Sequence, residues 1–360
     1  MTSERRSGPA AGSLIARLPK AELHLHLEGT VGPETLWRLA RKHGSPLAAR
    51  GPKTVESLYG TGDFGAFLRA FKTVCEHLRQ PEDYEDITYE ALQKLAAQNV
   101  RYTEMTISAG VMLWKGEDVE SSFAGIEAGY QRARAEFGIR AAWIFDAVRQ
   151  FGTAAALEVV RHAGRLRDRG VIGFGIGGDE RRAPAEMFGE VFERARGAGL
   201  RLTAHAGETA GPESVWNALK ILGAERIGHG FTASSDERLV SYLAEKEIPL
   251  EICLTSNLRT GCLSDLARHP LRRYLDRGIP VSLNSDDPAL FGTDLNREYQ
   301  RAGDELGCTE KELLRLAENS FRTSFLPPEE SARYIASIRE FASTGPGIRT
   351  SPENKTSLPR

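Results

Sequence analysis

Eight short apolar runs, rich in β-branched residues, recur along this chain, and longer stretches with helical spacing separate them. The runs are Glu22 to Leu27, Val100 to Ile107, Arg140 to Val148, Val171 to Ile176, Leu200 to His205, Arg226 to His229, Ile248 to Leu254 and Ile279 to Asn284. Helical patterns such as Pro33 to His43, Tyr84 to Gln98, Ser121 to Phe137 and Thr153 to Arg169 lie between them, and Gly138, Gly170, Gly199, Gly223 and Gly278 sit where C-caps are needed. Strict β-α alternation of this kind predicts a parallel (β/α)8 TIM barrel, in the α/β class. A doubly wound open sheet is the alternative. It is not supported by a dinucleotide fingerprint, because Gly173 to Gly178 imitates one only in spelling and lies within and at the end of a strand. The predicted organisation is a lead over 1–17 without fixed structure, one barrel over 18–342, and a Pro-, Gly- and Ser-rich tail over 343–360 that is also disordered. The interval between the first two strands is longer than one crossover helix needs. It holds Asp63 to Leu78, with Phe64, Phe67, Leu68, Phe71 and Val74 at helical spacing, which reads either as an extra packed helix or as an apolar lid over the barrel mouth.

Charge and cysteine usage narrow the function classes. The net charge of −2 favours neither nucleic acid nor a membrane surface as partner. No apolar run approaches the roughly 18 residues of a membrane span, and the N-terminus lacks the apolar core of a signal peptide. Cys75, Cys253, Cys262 and Cys308 form no C-x-x-C pair and no disulfide framework, so the expected setting is the reducing cytoplasm.

In a barrel, chemistry sits at the C-terminal ends of the strands. The first strand carries His24 and His26, two apart and therefore on one face, while Leu23, Leu25 and Leu27 take the other. Two imidazoles aimed one way suit a divalent metal of borderline softness. Strand four ends in Gly177-Gly178-Asp179-Glu180, strand five in His205-Ala206-Gly207-Glu208, strand six in Gly228-His229-Gly230, and strand eight in Asn284-Ser285-Asp286-Asp287-Pro288. Singly, each has a structural reading: a packed histidine, a turn, a carboxylate at a helix N-terminus. Five polar strand ends at the same pole of one barrel are hard to assign to packing.

With these residues in place, the chain resembles the adenosine deaminase family of metal-dependent hydrolases. The resemblance is carried by Pro19 to Gly29, Gly178-Asp179-Glu180, His205 to Glu208, Arg226 to Gly230, Leu254 to Asn257 and Ser285 to Pro288, in the family's order. It implies one zinc ion per chain on His24, His26, His205 and Asp286. It also implies Glu208 as the acid that protonates purine N1, and His229 as the group that holds and polarises the attacking water. Asp286 would accept that water's hydrogen bond, Asp287 would meet N7, and the Gly178 N–H would meet N3. His26 and Glu28 would also lie against the substrate, a small purine nucleoside. Glu28 stands where the family has the aspartate that meets the ribose 5′ hydroxyl, which moves the expectation away from plain adenosine.

The stretches Val100 to Ile107 and Ser285 to Tyr299 resemble aminodeoxyfutalosine deaminases, whose substrate is a menaquinone precursor carrying a carboxyphenyl group at the 5′ side. Arg149 reads either as the partner of that carboxylate or as a supporting arginine. The implied reaction is hydrolytic deamination to a 6-oxopurine and ammonia, with aminodeoxyfutalosine as the first expectation and adenosine as the alternative. Other readings are a different aminopurine such as adenine, a non-purine amidohydrolase and an inactive nucleoside-binding barrel.

Overall fold

The computed structural model describes residues 14–60 and 62–344. All eight expected strands form: β1 Lys20–His26, β2 Val100–Ile107, β3 Arg140–Val148, β4 Val171–Gly177, β5 Arg201–Ala206, β6 Arg226–His229, β7 Leu250–Ile252 and β8 Val281–Leu283. They pair in parallel in chain order, each with the next, and helices lie between them: a single-domain (β/α)8 barrel. β7 and β8 are three residues each, shorter than their apolar runs suggest. Pro249 and Pro280 have no N–H to donate, and Leu254 already begins a helical turn, Leu254–Arg259.

Closure of the barrel is partly a side-chain affair. The Asn284 amide oxygen accepts from the backbone N–H groups of Leu23 and His24 (2.8 and 3.1 Å), and Glu22 accepts from the Ser285 N–H and hydroxyl (2.8 and 2.5 Å). Above them, His26 N–H donates to Asp286 C=O (2.9 Å) and Asp286 N–H to His24 C=O (3.1 Å). Two metal-ligand candidates from opposite ends of the chain are thereby locked in register.

The interval after β1 folds into helices, of which Phe64–His77 is capped by the Asp63 carboxylate accepting from Ala66 N–H at 2.7 Å. Its Phe64, Phe67, Leu68 and Phe71 face the barrel mouth, and Phe67 packs on Phe291 with ring centroids 5.0 Å apart. One apolar face serves both as packing and as a roof. After β8 come the helices Leu295–Asp304, Glu310–Arg322 and Pro328–Thr344.

Two boundaries move. Residues 14–17, read as the end of the lead, form a helical turn, because Ile15 is buried and the Lys20 ammonium binds the Ile15 and Leu18 carbonyls. The last helix continues to Thr344. The rest of the expected lead and tail, 1–13 and 345–360, lies outside the described residues. No helix among the described residues is long and apolar enough to cross a membrane.

Candidate active site

β1 delivers His24 and His26 to one side, as its alternation requires. β5 brings His205 beside them, and the turn after β8 brings Asp286. The proton positions follow from the neighbours. His205 Nδ1 faces the Ile176 carbonyl at 3.1 Å and must donate to it, leaving Nε2 as a lone pair. His24 Nδ1 donates to the Glu251 carboxylate at 2.9 Å, and its Nε2 is buried with no hydrogen-bond partner. His26 Nε2 lies 3.2 Å from His205 Nε2, and the Asp286 carboxylate oxygen Oδ1 lies 3.4 Å from both His24 Nε2 and His26 Nε2. Ligand atoms about 2.0–2.2 Å from one tetrahedral metal are about 3.3–3.6 Å from each other. The set is spaced for a divalent cation, and His24 Nε2 and His26 Nδ1 are buried without any hydrogen-bond partner.

The electrostatics agree. Burial lowers the pKa of His26 and of His229 to about 4 and takes His205 well below its ordinary value, so these rings are neutral and their lone pairs available. At His24 burial pulls the same way, but Asp286 and Glu251 overcome it and raise the pKa to about 10, a position made for positive charge. Asp286 and His229 both adopt left-handed backbone, φ 63° and 61°. Non-glycine residues occupy that region at a cost of ~1–3 kcal/mol, and both of these line the cavity.

Glu208 sits in the loop after β5. Glu180 fastens that loop: its carboxylate accepts from the N–H groups of Gly207, Glu208 and Thr209 at 2.8, 2.9 and 2.8 Å. The Glu208 carboxyl then stands 3.8 Å from His229 Nε2. Burial, with the charges of Asp286 and Glu180, pushes its pKa well above the usual carboxylate range, so it is a proton donor. Asp287 is pushed up as well, by burial and by Asp286. It fits only because residue 29 is glycine: a Cβ there would strike the Asp287 carboxylate. Gly178 has φ +99°, and a Cβ on it would run into the Gln150 amide.

These groups line the floor of a cavity of ≈320 Å³, with Phe64, Phe71, Trp114, Val148 and Phe151 around its outer part. His24 is held just beneath, since a Cβ on Gly228 would come within 2.7 Å of its ring.

Two expected substrate contacts are placed elsewhere. Arg149 is not at the cavity: its buried guanidinium donates to the Ala183 and His205 carbonyls, at 3.1 and 2.7 Å, so it supports the strand that carries His205. Of its two readings, the supporting arginine is the one this placement fits. Glu28 is turned into the wall, where Oε1 accepts from Ser108 N–H at 3.0 Å, and it is not among the residues lining the cavity.

Three residues given no role from the sequence matter here. Glu180 was visible only as part of a motif. Glu251 is a carboxylate inside an apolar strand, Leu250-Glu251-Ile252, which is itself a signal, since buried charge needs a partner. Asp146 interrupts the run Arg140–Val148 in the same way. Glu251 also accepts from Arg226 Nε (2.6 Å), and Arg226 pairs with Glu104 (2.5 Å), forming a fully buried chain of charges behind His24.

A parallel eight-stranded barrel whose strand ends gather three imidazoles, one carboxylate and a protonated acid around a cavity defines a metal-dependent hydrolase. Residues 19–341 match the family model described as adenosine deaminase, and the chain belongs to that family. It is 42% identical over 339 residues to the aminodeoxyfutalosine deaminase of Streptomyces avermitilis, covering 94% of this chain and 95% of that protein. Among solved structures it is similar to the adenine deaminase from Arthrobacter aurescens (TM-score 0.86, 31% identity, 91% of this chain and 99% of that one). It is likewise similar to an amidohydrolase from Burkholderia ambifaria with bound zinc (TM-score 0.86, 26% identity, 95% and 96%).

Proposed function

We propose that the chain hydrolytically deaminates a 6-aminopurine nucleoside to the 6-oxopurine and ammonia, with zinc as its metal and aminodeoxyfutalosine as its substrate, in menaquinone synthesis. The observation that carries the reaction is the pairing of a buried, protonated Glu208 with His229 and Asp286 across the ligand set. The chemistry that zinc supplies when held by His24, His26, His205 and Asp286 is Lewis acidity, which brings the pKa of a water toward neutrality. Glu208 gives its proton to purine N1, which removes the negative charge that attack at C6 would leave on the ring. His229 and Asp286, 3.9 Å apart, hold and orient the attacking water. Its oxygen bonds to C6 while one of its protons passes through His229 or Asp286 to the amino group; the C6–N bond then breaks, ammonia leaves, and the remaining hydroxyl proton returns to Glu208, giving the 6-oxopurine with its proton on N1. Asp287, kept protonated, donates to N7, and the Gly178 N–H meets N3.

Support for aminodeoxyfutalosine comes from the 42% identity to the Streptomyces enzyme and from the aromatic outer part of the cavity. Adenine is the second reading, favoured by the likeness to the Arthrobacter structure; adenosine remains the alternative nucleoside. Initial rates on aminodeoxyfutalosine, adenosine and adenine at equal concentration, followed by loss of the 6-aminopurine absorbance, test the proposal. Aminodeoxyfutalosine should be turned over fastest, and Glu208→Ala should abolish turnover of all three. A preference for adenine would overturn the nucleoside reading, and a preference for adenosine would move the enzyme to purine salvage.

A further inference from the structure

The cavity carries two buried polar groups for which the reaction has no use. Asp146, at the end of β3, is 5% exposed, and its Oδ1 has no hydrogen-bond partner. It projects toward the floor because β4 offers it glycines: a Cβ on Gly175 would lie 3.2 Å from one Asp146 oxygen and a Cβ on Gly177 3.1 Å from the other. Gln150 packs on Gly178, and its amide oxygen is also buried and unpartnered. Both residues line the cavity. A buried polar atom left without a partner costs about 1–3 kcal/mol, so two in one pocket point to ligand groups that complete them.

The chemistry of those groups can be worked out by subtraction, and this step rests on the nucleoside reading above. In a 6-aminopurine, N1, N3 and N7 are acceptors. They meet Glu208, the Gly178 N–H and Asp287. In a nucleoside N9 carries the sugar and has no proton to give. An extra pair of acceptors beside Gly178, the N3 edge next to N9, therefore faces the sugar, whose only donors are hydroxyls. Glu28, the residue first expected to take a hydroxyl, accepts from Ser108 through Oε1; its Oε2 is buried without a partner, but the residue does not line the cavity. We propose that Asp146 and Gln150 are the sugar-binding acceptors of this site and determine its preference for a nucleoside over a free base.

The test sets variants against substrate analogues. Asp146→Ala, Asp146→Asn and Gln150→Ala are purified, checked for metal content and melting temperature, and assayed on adenosine, its 2′-, 3′- and 5′-deoxy forms, and adenine. Loss of the hydrogen bond accepted by Asp146, which leaves a buried sugar hydroxyl unpaired, should lower kcat/KM of Asp146→Ala on adenosine by about 10–100-fold. On the one deoxy analogue that lacks the matching hydroxyl, wild type and variant should agree within a factor of about three. Adenine turnover should fall by less than adenosine turnover, so the nucleoside-to-base ratio falls. Gln150→Ala, which does not touch the Asp146 carboxylate, should give a smaller loss of the same kind.

An equal loss on every substrate, or no loss on any, overturns the assignment while leaving the nucleoside reading intact. A loss confined to adenine would assign Asp146 to an N9–H donor and overturn it in favour of free-base recognition. A wild type that prefers adenine removes the nucleoside reading and the inference together.

Discussion

Replacing Glu251 by glutamine should weaken metal binding although residue 251 touches no metal. In the structure one Glu251 oxygen accepts from His24 Nδ1–H at 2.9 Å and the other from Arg226 Nε–H at 2.6 Å. Both partners can only donate, so both positions need acceptors. A glutamine offers one acceptor and one NH2. Whichever way it turns, a donor meets a donor, either at His24 or at Arg226. If it turns against His24, the ring loses the contact that keeps its proton on Nδ1 and its lone pair on Nε2. If it turns against Arg226, a fully buried guanidinium keeps only Glu104 as a carboxylate partner.

A charge-assisted hydrogen bond contributes about 1.5–3 kcal/mol. Loss of a carboxylate that orients a metal-ligating histidine costs about 10–100-fold in affinity, or roughly 1.4–2.7 kcal/mol. The two figures agree, so Glu251→Gln should raise the zinc Kd by about 10–100-fold and, through the mispaired Arg226, lower the melting temperature even in excess metal. Competition of the apoprotein against a chromophoric chelator reads the first effect, and thermal melts with and without metal read the second. A zinc Kd within about threefold of wild type, with an unchanged melting temperature, would refute the argument that this buried chain of charges holds His24 in its ligand tautomer.

Three further outcomes follow from the same geometry. Glu208→Gln keeps the shape of the acid but has no proton to transfer, so it should cut kcat by about 10²–10⁴-fold while metal content stays at the wild-type value, read by steady-state rates beside elemental analysis. Burial raises the Asp146 pKa from 3.8 to about 8, so the native state holds a proton there that the unfolded chain releases. Stability from this group is complete below pH 4 and is lost as pH rises toward 8, by up to about 1.4 kcal/mol per pH unit. Asp146→Asn should therefore flatten the fall in denaturant midpoint between those pH values, and an unchanged slope would count against the raised pKa. Prolonged dialysis against a strong chelator should abolish turnover and lower the melting temperature, and added zinc should restore both; activity surviving with no metal by elemental analysis would refute a metal-dependent mechanism.

The architecture was legible because strands in a parallel barrel are buried and must be apolar, while the intervening helices keep a 3.6-residue period. Strand ends announced themselves through glycine and polar residues that a core would not tolerate. His24, His26, His205, Glu208, His229, Asp286 and Asp287 were all singled out in this way, and the fold brings them within one site. For Arg149 and Glu28 the direction of the side chain was not legible, because a position in a sequence says which strand end a residue belongs to, not which way it turns. Arg149 found two carbonyls to satisfy, and Glu28 found the Ser108 amide. Glu180 and Glu251 received no role because their partners, a loop amide triplet and His24 with Arg226, are distant in the chain or lack a motif.

By itself, then, the chain's order of residues determined the number and direction of the strands, the pole at which chemistry gathers, and the residue types found there, since periodicity and strand-end polarity are local properties. Only the tertiary structure decided which nitrogen of His24 and of His205 carries the proton, the left-handed backbone at His229 and Asp286, and the glycine-lined space that lets Asp146 and Gln150 face the cavity. Those depend on which atoms meet across the barrel. A pKa, a tautomer or an unpartnered oxygen is a property of such a meeting, and no single segment of the chain contains it.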